Sequence, residues 1–479
     1  MGALRQLIDV VEAPPLGKSL IKYGGTVECV ASNLVTVAGI SHRVALGQVL
    51  RLGDGRLGEV VRVESGHTYI CPFDTDSACA IGDLVFAEEE SLPKPNEHWL
   101  GRVVNAMGVP IDSQLPLLPA TQSAVGDRRS DMPAKTGAMQ RARLNTPLKT
   151  GVKIIDIFAP LCRGQRLGIF AGSGVGKSTL LSMLAKSDAF DVVVVALVGE
   201  RGREVREFLE DSIGTAAMQK TVAVVATSDE SPMLRRRAPE LALDVCETFA
   251  KRGSNVLLLL DSLTRYAHSL REISVANGEP PVARGYTSSV FTQLPKLLER
   301  AGAGVEGDGS ITAIATVLVD GDDHNDPIAD AVRGIIDGHL VLDRSIAEEG
   351  RYPPVNPLTS ISRLADKVWS SDEKALVLQL RKMISKFEET RDLRMLGGWK
   401  PGSDPELDKA VETVPVIYEA LCQPPDSPAS QNAFEDLVAY LRGEGGAQSQ
   451  APTADGSQSA VTSTGTTKAS ESHEQEQEG

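Results

Sequence analysis

The feature that most constrains the fold is a glycine-rich loop between an apolar strand pattern and a helix pattern. The loop reads AGSGVGKS and occupies residues 171–178. It follows the apolar run 166–170 and precedes the helix-like run 179–185. Glycines at these positions let backbone N–H groups converge on phosphate oxygens, and the start of the helix adds partial positive charge. The sequence therefore predicts a phosphate-binding P-loop, with Ala171 where the strict pattern has its first glycine.

The side chains of this loop indicate nucleotide and metal contacts. Lys177 is expected to reach the β- and γ-phosphates, and the Ser178 hydroxyl is expected to ligate Mg²⁺. The loop and the first helical positions are the predicted nucleotide-binding residues: Gly172, Ser173, Gly174, Val175, Gly176, Lys177, Ser178 and Thr179. A nucleotide and Mg²⁺ are the predicted cofactors.

Two further apolar strand patterns end in carboxylates. Residues 256–260 run into Asp261, which is expected to hold Mg²⁺ through water when it follows a P-loop at this distance. Residues 192–198 run into Gly199 and Glu200, and a carboxylate at that edge can polarise a water for in-line attack. The residues alone leave two interpretations of Glu200 open. One is a general base, and the other is an N-cap or a surface ion pair with Arg203.

Patterning along the chain divides it into segments. Residues 21–95 carry short β-type runs cut by Gly-Asp turns, which predicts a small β-barrel. Residues 96–365 alternate apolar strands with helices, which predicts an α/β domain with a mostly parallel sheet. Residues 366–442 have helical patterns. Residues 443–479 are rich in Gln, Ser, Thr, Gly and Glu, and they predict a disordered tail.

The first 20 residues place apolar side chains on one stripe of a short helix: Leu4, Leu7, Ile8 and Val11. This segment fits two interpretations. It is either a terminal turn packed on its own domain, or a helix that docks on a partner groove or a membrane surface.

Composition excludes several classes of protein. The 479 residues carry a net charge of −15, which argues against a protein whose main function is to bind nucleic acid. The six cysteines lack the spacing of zinc sites, and we expect reduced thiols. The longest apolar runs are far shorter than the ~20 residues that span a bilayer, so we expect a soluble protein.

Longer motifs resemble the rotary and export ATPase superfamily, whose members resemble the β subunit of ATP synthase. They are GERGRE at 199–204, DSLTRYA at 261–267, and YPPVNPL at 352–358 followed by SISRL at 360–364. Other stretches most resemble the flagellum-specific type III export ATPases: 148–156, 162–166 and 289–302. The resemblance covers residues from about 20 to about 440.

The resemblance implies an ATP hydrolase that drives protein export with Mg-ATP. The architecture that the resemblance implies is a β-barrel, followed by a RecA-like P-loop ATPase domain and a C-terminal helical domain. Family roles make Glu200 the catalytic base, beside Lys177, and Arg363 the arginine finger given to a neighbouring subunit. Tyr352 matches the aromatic that packs on adenine, although the residues alone also allow a core or turn position before Pro353. Because one chain supplies both the P-loop and the finger, a homohexamer is expected.

The partners implied by the resemblance are other proteins. They are a stator-like regulator on the N-terminal helix, a central-stalk protein in the pore, export chaperones with their substrates, and a membrane export gate. The implied location is cytoplasmic, peripheral at the inner face of the cytoplasmic membrane, with no nucleic-acid partner. The alternatives are a virulence-type secretion ATPase, the catalytic subunit of a rotary ATP synthase, and a hexameric RNA translocase. Thr287 and Ser288 stand where close relatives are expected to carry a proline pair, which leaves the contacts of this pore loop open.

Overall fold

The structure is a computed structural model, and three units follow one another along its described residues. It describes residues 23–31, 33–74, 79–87, 92–112, 117, 139–305, 307–319, 326–402 and 404–443. The predicted docking helix at 1–20 lies outside these ranges, as does the predicted tail from residue 444 onward. Both therefore stay predictions.

The first unit is an antiparallel, barrel-like sheet with an apolar interior. Its strands are β1 (Gly24–Ala31), β2 (Leu34–Ala38), β3 (Val49–Arg51), β4 (Leu57–Val63), β5 (His67–Pro72) and β6 (Leu84–Phe86). They are ordered β3-β4-β5-β2-β1-β6, and the two end strands approach each other. Alternate side chains such as Val35 and Val37 are buried, because successive residues of a strand face opposite sides. The predicted β-barrel is confirmed.

The second unit is an α/β domain built on a mostly parallel sheet. The remaining strands are β7 (Val103–Asn105), β8 (Pro147–Leu148), β9 (Leu161–Cys162), β10 (Arg166–Ala171), β11 (Val192–Glu200), β12 (Thr221–Thr227), β13 (Asn255–Asp261), β14 (Pro281–Ala283), β15 (Tyr286–Thr287), β16 (Gly302–Ala303), β17 (Ser310–Leu318), β18 (Gly338–Val341) and β19 (Ile361–Ser362). The large sheet has the order β19-β18-β10-β17-β13-β11-β12-β7, with β16 beside β17. Only β16 and β19 run antiparallel to their neighbours among the described strands of this sheet.

Helices cover both faces of this sheet. They are α1 (Lys153–Phe158), α2 (Lys177–Lys186), α3 (Gly202–Glu207), α4 (Gly214–Met218), α5 (Pro232–Ala250), α6 (Leu263–Ala276), α7 (Ser288–Leu298), α8 (Pro327–Ile335), α9 (Arg344–Glu348) and α10 (Ala365–Val368), with a 3₁₀ turn at Glu97–Trp99 and a π-helical turn at Phe208–Ile213. All nine residues of β11 are buried, as expected for a central strand covered on both faces.

The third unit is helical and packs on the α/β domain. Its helices are α11 (Ser371–Glu389), α12 (Arg391–Met395), α13 (Pro405–Leu421) and α14 (Ala433–Leu441). Ser370 caps α11 with a capping box that includes Glu373. The Trp369 indole donates to the Ile157 carbonyl at 3.1 Å, which joins the start of this unit to α1. Within the described ranges, no helix combines the length and apolarity needed to cross a membrane.

The order of the parallel strands brings the predicted site residues to one edge of the sheet. Ala171, Glu200 and Asp261 end β10, β11 and β13. Carboxyl ends of parallel strands share one edge, where open α/β sheets bind their ligands. Strand β17 lies between β10 and β13, and its Thr316 is in register with Ile169 of β10.

Candidate active site

The P-loop forms a tight turn that only glycine accommodates easily. Gly174 and Gly176 have φ values of 77° and 97°, in the left-handed region. Gly176 is the N-cap of α2, and because glycine has no side chain, no side-chain cap occupies the first N–H groups of this helix. The first N–H groups of this ten-residue helix are therefore directed at the loop, as in phosphate sites at helix N-termini.

Lys177 joins the two carboxylates at the sheet edge. Its Nζ donates to Asp261 Oδ1 at 2.6 Å and lies 3.6 Å from Glu200 Oε1. The Thr316 hydroxyl donates to the same Asp261 Oδ1 at 2.7 Å. Three predicted site residues are thus in one cluster, and sequence analysis did not single out the fourth, Thr316.

Glu200 is a buried carboxylate between two cations. Arg265 lies opposite Lys177, with its Nη2 3.3 Å from Glu200 Oε2, and its Nη1 donates to the Gly199 carbonyl. Burial raises the pKa of Glu200, while the charge of Lys177 acts to lower it. The N-cap residue of α3 is Arg201, and Arg203 pairs with Glu207 at 2.7 Å. The interpretation of Glu200 as an N-cap or as the ion-pair partner of Arg203 was therefore wrong.

Sequence analysis missed Arg265 and Thr316, although each left a signal. Arg265 lies in the motif 261–267, four positions after Asp261, so the first turn of α6 brings it back to the sheet edge. Thr316 is a fully buried hydroxyl in the otherwise largely apolar strand β17. A buried hydroxyl needs a hydrogen-bond partner, and here that partner is a site carboxylate.

The donor atoms near the P-loop suit Mg²⁺ bound together with a nucleotide. Ser178 is the second residue of α2, and its side chain is exposed. Lys177 and Thr316 both donate hydrogen bonds to Asp261 Oδ1. Hydroxyl and carboxylate oxygens are the hard donors that Mg²⁺ prefers, with phosphates and water completing its shell. These two residues fit the predicted metal site.

Tyr352 lies beside the P-loop with its ring partly exposed. A Cβ placed on Gly176 would lie 3.6 Å from Tyr352 Cε1. The side chain is 42% exposed, so it is not a core residue. The Tyr352 carbonyl accepts from the Gln423 N–H at 2.8 Å, and the ring shares a cavity with Tyr418 and Cys422 of the helical unit. An exposed aromatic ring beside a phosphate loop can stack on a nucleotide base.

Arg363 does not meet the P-loop of its own chain. It follows β19, whose Ser362 pairs with Gly338 at the amino end of β18, whereas the P-loop follows the carboxyl end of β10. Its N–H donates to the Asp337 carbonyl and its Nη2 to the Arg333 carbonyl, at 2.9 and 3.0 Å. The side chain is exposed at the edge of the sheet. A contact with a phosphate site is therefore open to Arg363 only in another subunit.

The loop with the unusual Thr-Ser pair forms a small hairpin. Arg284 and Gly285 turn it with φ values of 44° and 84°. Thr287 is fully buried, and its Oγ1 lies 3.0 Å from Ser289 Oγ. The Ser289 N–H donates to Glu279 Oε1 at 2.8 Å. Hydroxyl and carboxylate contacts thus anchor this hairpin where a proline pair was expected.

Two family models match this chain. The nucleotide-binding domain of the ATP synthase alpha/beta family matches residues 151–362, which contain the cluster of Lys177, Glu200 and Asp261. The C-terminal domain of the type III secretion ATPase EscN matches residues 369–441, the helical unit.

Curated relatives extend the similarity over nearly the whole chain. The flagellum-specific ATP synthase of Agrobacterium fabrum is 59% identical over 435 residues, which are 90% of each chain. The type 3 secretion system ATPase of Xanthomonas euvesicatoria is 40% identical over 425 residues, covering 88% of this chain and 94% of the relative.

Solved structures agree with the fold. The assembled ATPase EscN of the enteropathogenic E. coli type III secretion system has a TM-score of 0.78 and 36% identity, covering 87% of this chain and 100% of EscN. EscN in complex with its central stalk EscO has a TM-score of 0.76 at 34% identity, with the same coverage. The chain is therefore an ATPase that belongs to the family of flagellum-specific ATP synthases and type III secretion ATPases.

Proposed function

We propose that this ATPase drives flagellar type III protein export by hydrolysing Mg-ATP, with Glu200 as the general base. The observation that carries the proposal is the cluster at the sheet edge. Lys177 of the P-loop, Asp261 at the end of its strand and Glu200, whose pKa is raised by burial, lie within one contact network. A general base works best when its pKa approaches the operating pH, and burial moves Glu200 in that direction.

Each residue of the cluster has a separate task in the proposed reaction. Glu200 orients the attacking water and accepts its proton. Lys177 leaves Asp261 to contact the β- and γ-phosphates. Ser178 and Asp261 would hold Mg²⁺, which would supply positive charge to the phosphates. The ring of Tyr352 stacks on adenine, and Arg363 of a neighbouring subunit stabilises the phosphoryl group in transit.

The proposed assembly is a homohexameric ring with its active sites between subunits. Two observations support it. Arg363 lies at the amino ends of the parallel strands, opposite to the carboxyl ends where its own P-loop lies. EscN, which has the same fold, was solved in assembled form. EscN also binds a central stalk, so we propose a stalk protein in the pore of this ring. A stator-like regulator, export chaperones with substrates and a membrane export gate complete the proposed partners, at the inner face of the cytoplasmic membrane.

The flagellar role is preferred to virulence secretion because of the degree of similarity. Identity to the Agrobacterium flagellum-specific protein is 59%, against 40% to the Xanthomonas secretion ATPase, at comparable coverage. The proposed work is release of substrates from chaperones and their delivery to the export gate.

The catalytic assignment is tested with Glu200→Gln. This variant keeps the size of the side chain but removes the base, so we expect normal ATP binding and hydrolysis slower by roughly 10²- to 10⁴-fold. Glu210→Gln is the matched control, because Glu210 is exposed and pairs only with Arg206 among the described contacts. Single-turnover hydrolysis and nucleotide binding are measured for both. Near-normal turnover in Glu200→Gln would exclude Glu200 as the base.

The biological role is tested by complementing a deletion of the gene. The deletion strain should grow normally but lack filaments and fail to swim. The wild-type gene and Glu210→Gln should restore swimming, whereas Glu200→Gln should not. Intact swimming in the deletion strain would favour virulence secretion, and poor growth on respiratory substrates would favour an ATP synthase subunit.

A further inference from the structure

Strand β17 carries two buried threonines on one face, and they serve different partners. Thr312 and Thr316 are separated by four positions, so both side chains point to the same side of the sheet. The Thr312 hydroxyl accepts from the Gly164 N–H at 2.9 Å, a contact within the scaffold. The Thr316 hydroxyl donates to Asp261 Oδ1 at 2.7 Å, a contact within the proposed active site.

We propose that Thr316 is the positioning residue of Asp261, fixing its carboxylate for the Mg²⁺-nucleotide complex. The inference rests on the proposed function, in which Asp261 is a metal-site residue. Thr316 is fully buried, and its other contact, to the Leu260 carbonyl, is long at 3.5 Å. Asp261 is therefore its principal partner.

The need for a second partner arises from the task of Lys177. In the structure, Asp261 Oδ1 accepts hydrogen bonds from both Lys177 and Thr316. Lys177 cannot keep this short contact with Oδ1 while its Nζ contacts phosphate oxygens. When Lys177 moves to the phosphates, the Thr316 hydroxyl still holds Oδ1. The carboxylate then keeps its orientation.

Strand order explains why the donor comes from this position. Strand β17 lies between the strand of the P-loop and the strand of Asp261. Residue Ala315 is in register with Leu260, so Thr316 lies beside Asp261 at the carboxyl end. The side chain is short and β-branched, with restricted rotamers, and its hydroxyl is held by surrounding buried strands. Such outer contacts to metal-binding carboxylates commonly set metal affinity.

The test compares Thr316→Val, Thr316→Ser and Thr312→Val in the full-length protein. Binding of a fluorescent ADP is titrated with and without Mg²⁺, and the Mg²⁺ dependence of ATP hydrolysis is measured. In Thr316→Val we expect the Mg²⁺ concentration for half-maximal response to rise by about 10- to 100-fold, with little change in metal-free ADP binding. Thr316→Ser keeps the hydroxyl and should restore the wild-type response. Thr312→Val should lower thermal stability without changing the Mg²⁺ response.

The responses of these variants decide the inference. A wild-type Mg²⁺ response in Thr316→Val overturns it, as does an equal shift in Thr312→Val, which would indicate a general effect of a lost buried hydroxyl. Asp261→Asn separates this from the proposed function. If that variant loses its Mg²⁺ response while Thr316→Val does not, only the positioning role fails. If the Mg²⁺ response is unchanged in both Asp261→Asn and Thr316→Val, the assignment of Asp261 to the metal site fails together with the positioning role. Thr316→Ala replaces Thr316→Val if the valine variant does not fold.

Discussion

At the scale of single residues, burial raises the pKa of the proposed base Glu200, and Lys177 and Arg265 are the two cations that act to lower it. Arg265 faces Glu200 across 3.3 Å. The base must be deprotonated to accept a proton, so activity is expected to fall as pH drops through the pKa of Glu200. The acid limb of the pH profile therefore reports the electrostatics around this one side chain.

The variant Arg265→Gln tests this balance. Removing the cation disfavours the carboxylate, so the pKa of Glu200 rises and the acid limb of kcat/KM moves to higher pH. Arg206→Gln is the matched control, because Arg206 is exposed and pairs with Glu210. A pH profile of Arg265→Gln that matches the control would mean that Arg265 does not tune the base. Activity is also measured at pH values well above the acid limb, where Glu200 is deprotonated in both proteins. A loss of activity there would report the lost hydrogen bond from Arg265 to the Gly199 carbonyl.

At the scale of elements, the short strand β19 directly precedes Arg363, the proposed arginine finger. Gly338 of β18 lies against β19, and a Cβ there would lie 2.6 Å from the Ile361 carbonyl oxygen and 3.0 Å from Ser362 Cα. Both contacts are with backbone atoms, which cannot rotate away. Arg363 comes directly after these residues, so its position depends on how closely β18 and β19 approach.

We expect Gly338→Ala to displace β19 and to impair the finger. Overpacking of this kind costs about 1–3 kcal/mol of stability. Hydrolysis should fall while ADP binding by the same subunit is retained. Gly334→Ala is the control, because Gly334 lies in α8 with no atom within 4 Å of the added Cβ. Thermal unfolding and steady-state hydrolysis are compared. Equal activity in the two alanine variants would show that β19 tolerates the shift.

At the scale of the whole molecule, each site is expected to be shared between two chains. The P-loop follows the carboxyl end of β10, whereas Arg363 lies at the amino end of β18. One chain therefore cannot complete a site alone. An arginine finger contributes about 10³- to 10⁵-fold to phosphoryl transfer. Activity should therefore depend on protein concentration, because dilution separates the two halves of each site.

Mixing two inactive variants tests this arrangement. Lys177→Ala and Arg363→Ala should each be nearly inactive alone. In a ring assembled from equal amounts of both, an interface is intact only where the P-loop of an Arg363→Ala subunit meets the finger of a Lys177→Ala subunit. Random mixing makes about a quarter of the interfaces intact, so about a quarter of wild-type activity should return. Mixing either variant with the double variant should restore nothing. No recovery in the first mixture would mean that Arg363 acts within its own chain or is not the finger.

Local sequence patterns are enough to predict several parts of the protein. The P-loop, the strands ending in Glu200 and Asp261, and the three-part order of barrel, α/β domain and helices follow from contiguous patterns, because turn glycines and apolar periodicity act over a few residues. Which strands become neighbours is seen only in the folded domain. Thr316 meets Asp261 across 55 positions and Arg265 meets Glu200 across 65, while Glu200 does not pair with nearby Arg203. Sheet order arises from packing of the whole domain, so the sequence around each of these residues does not specify which partner it meets.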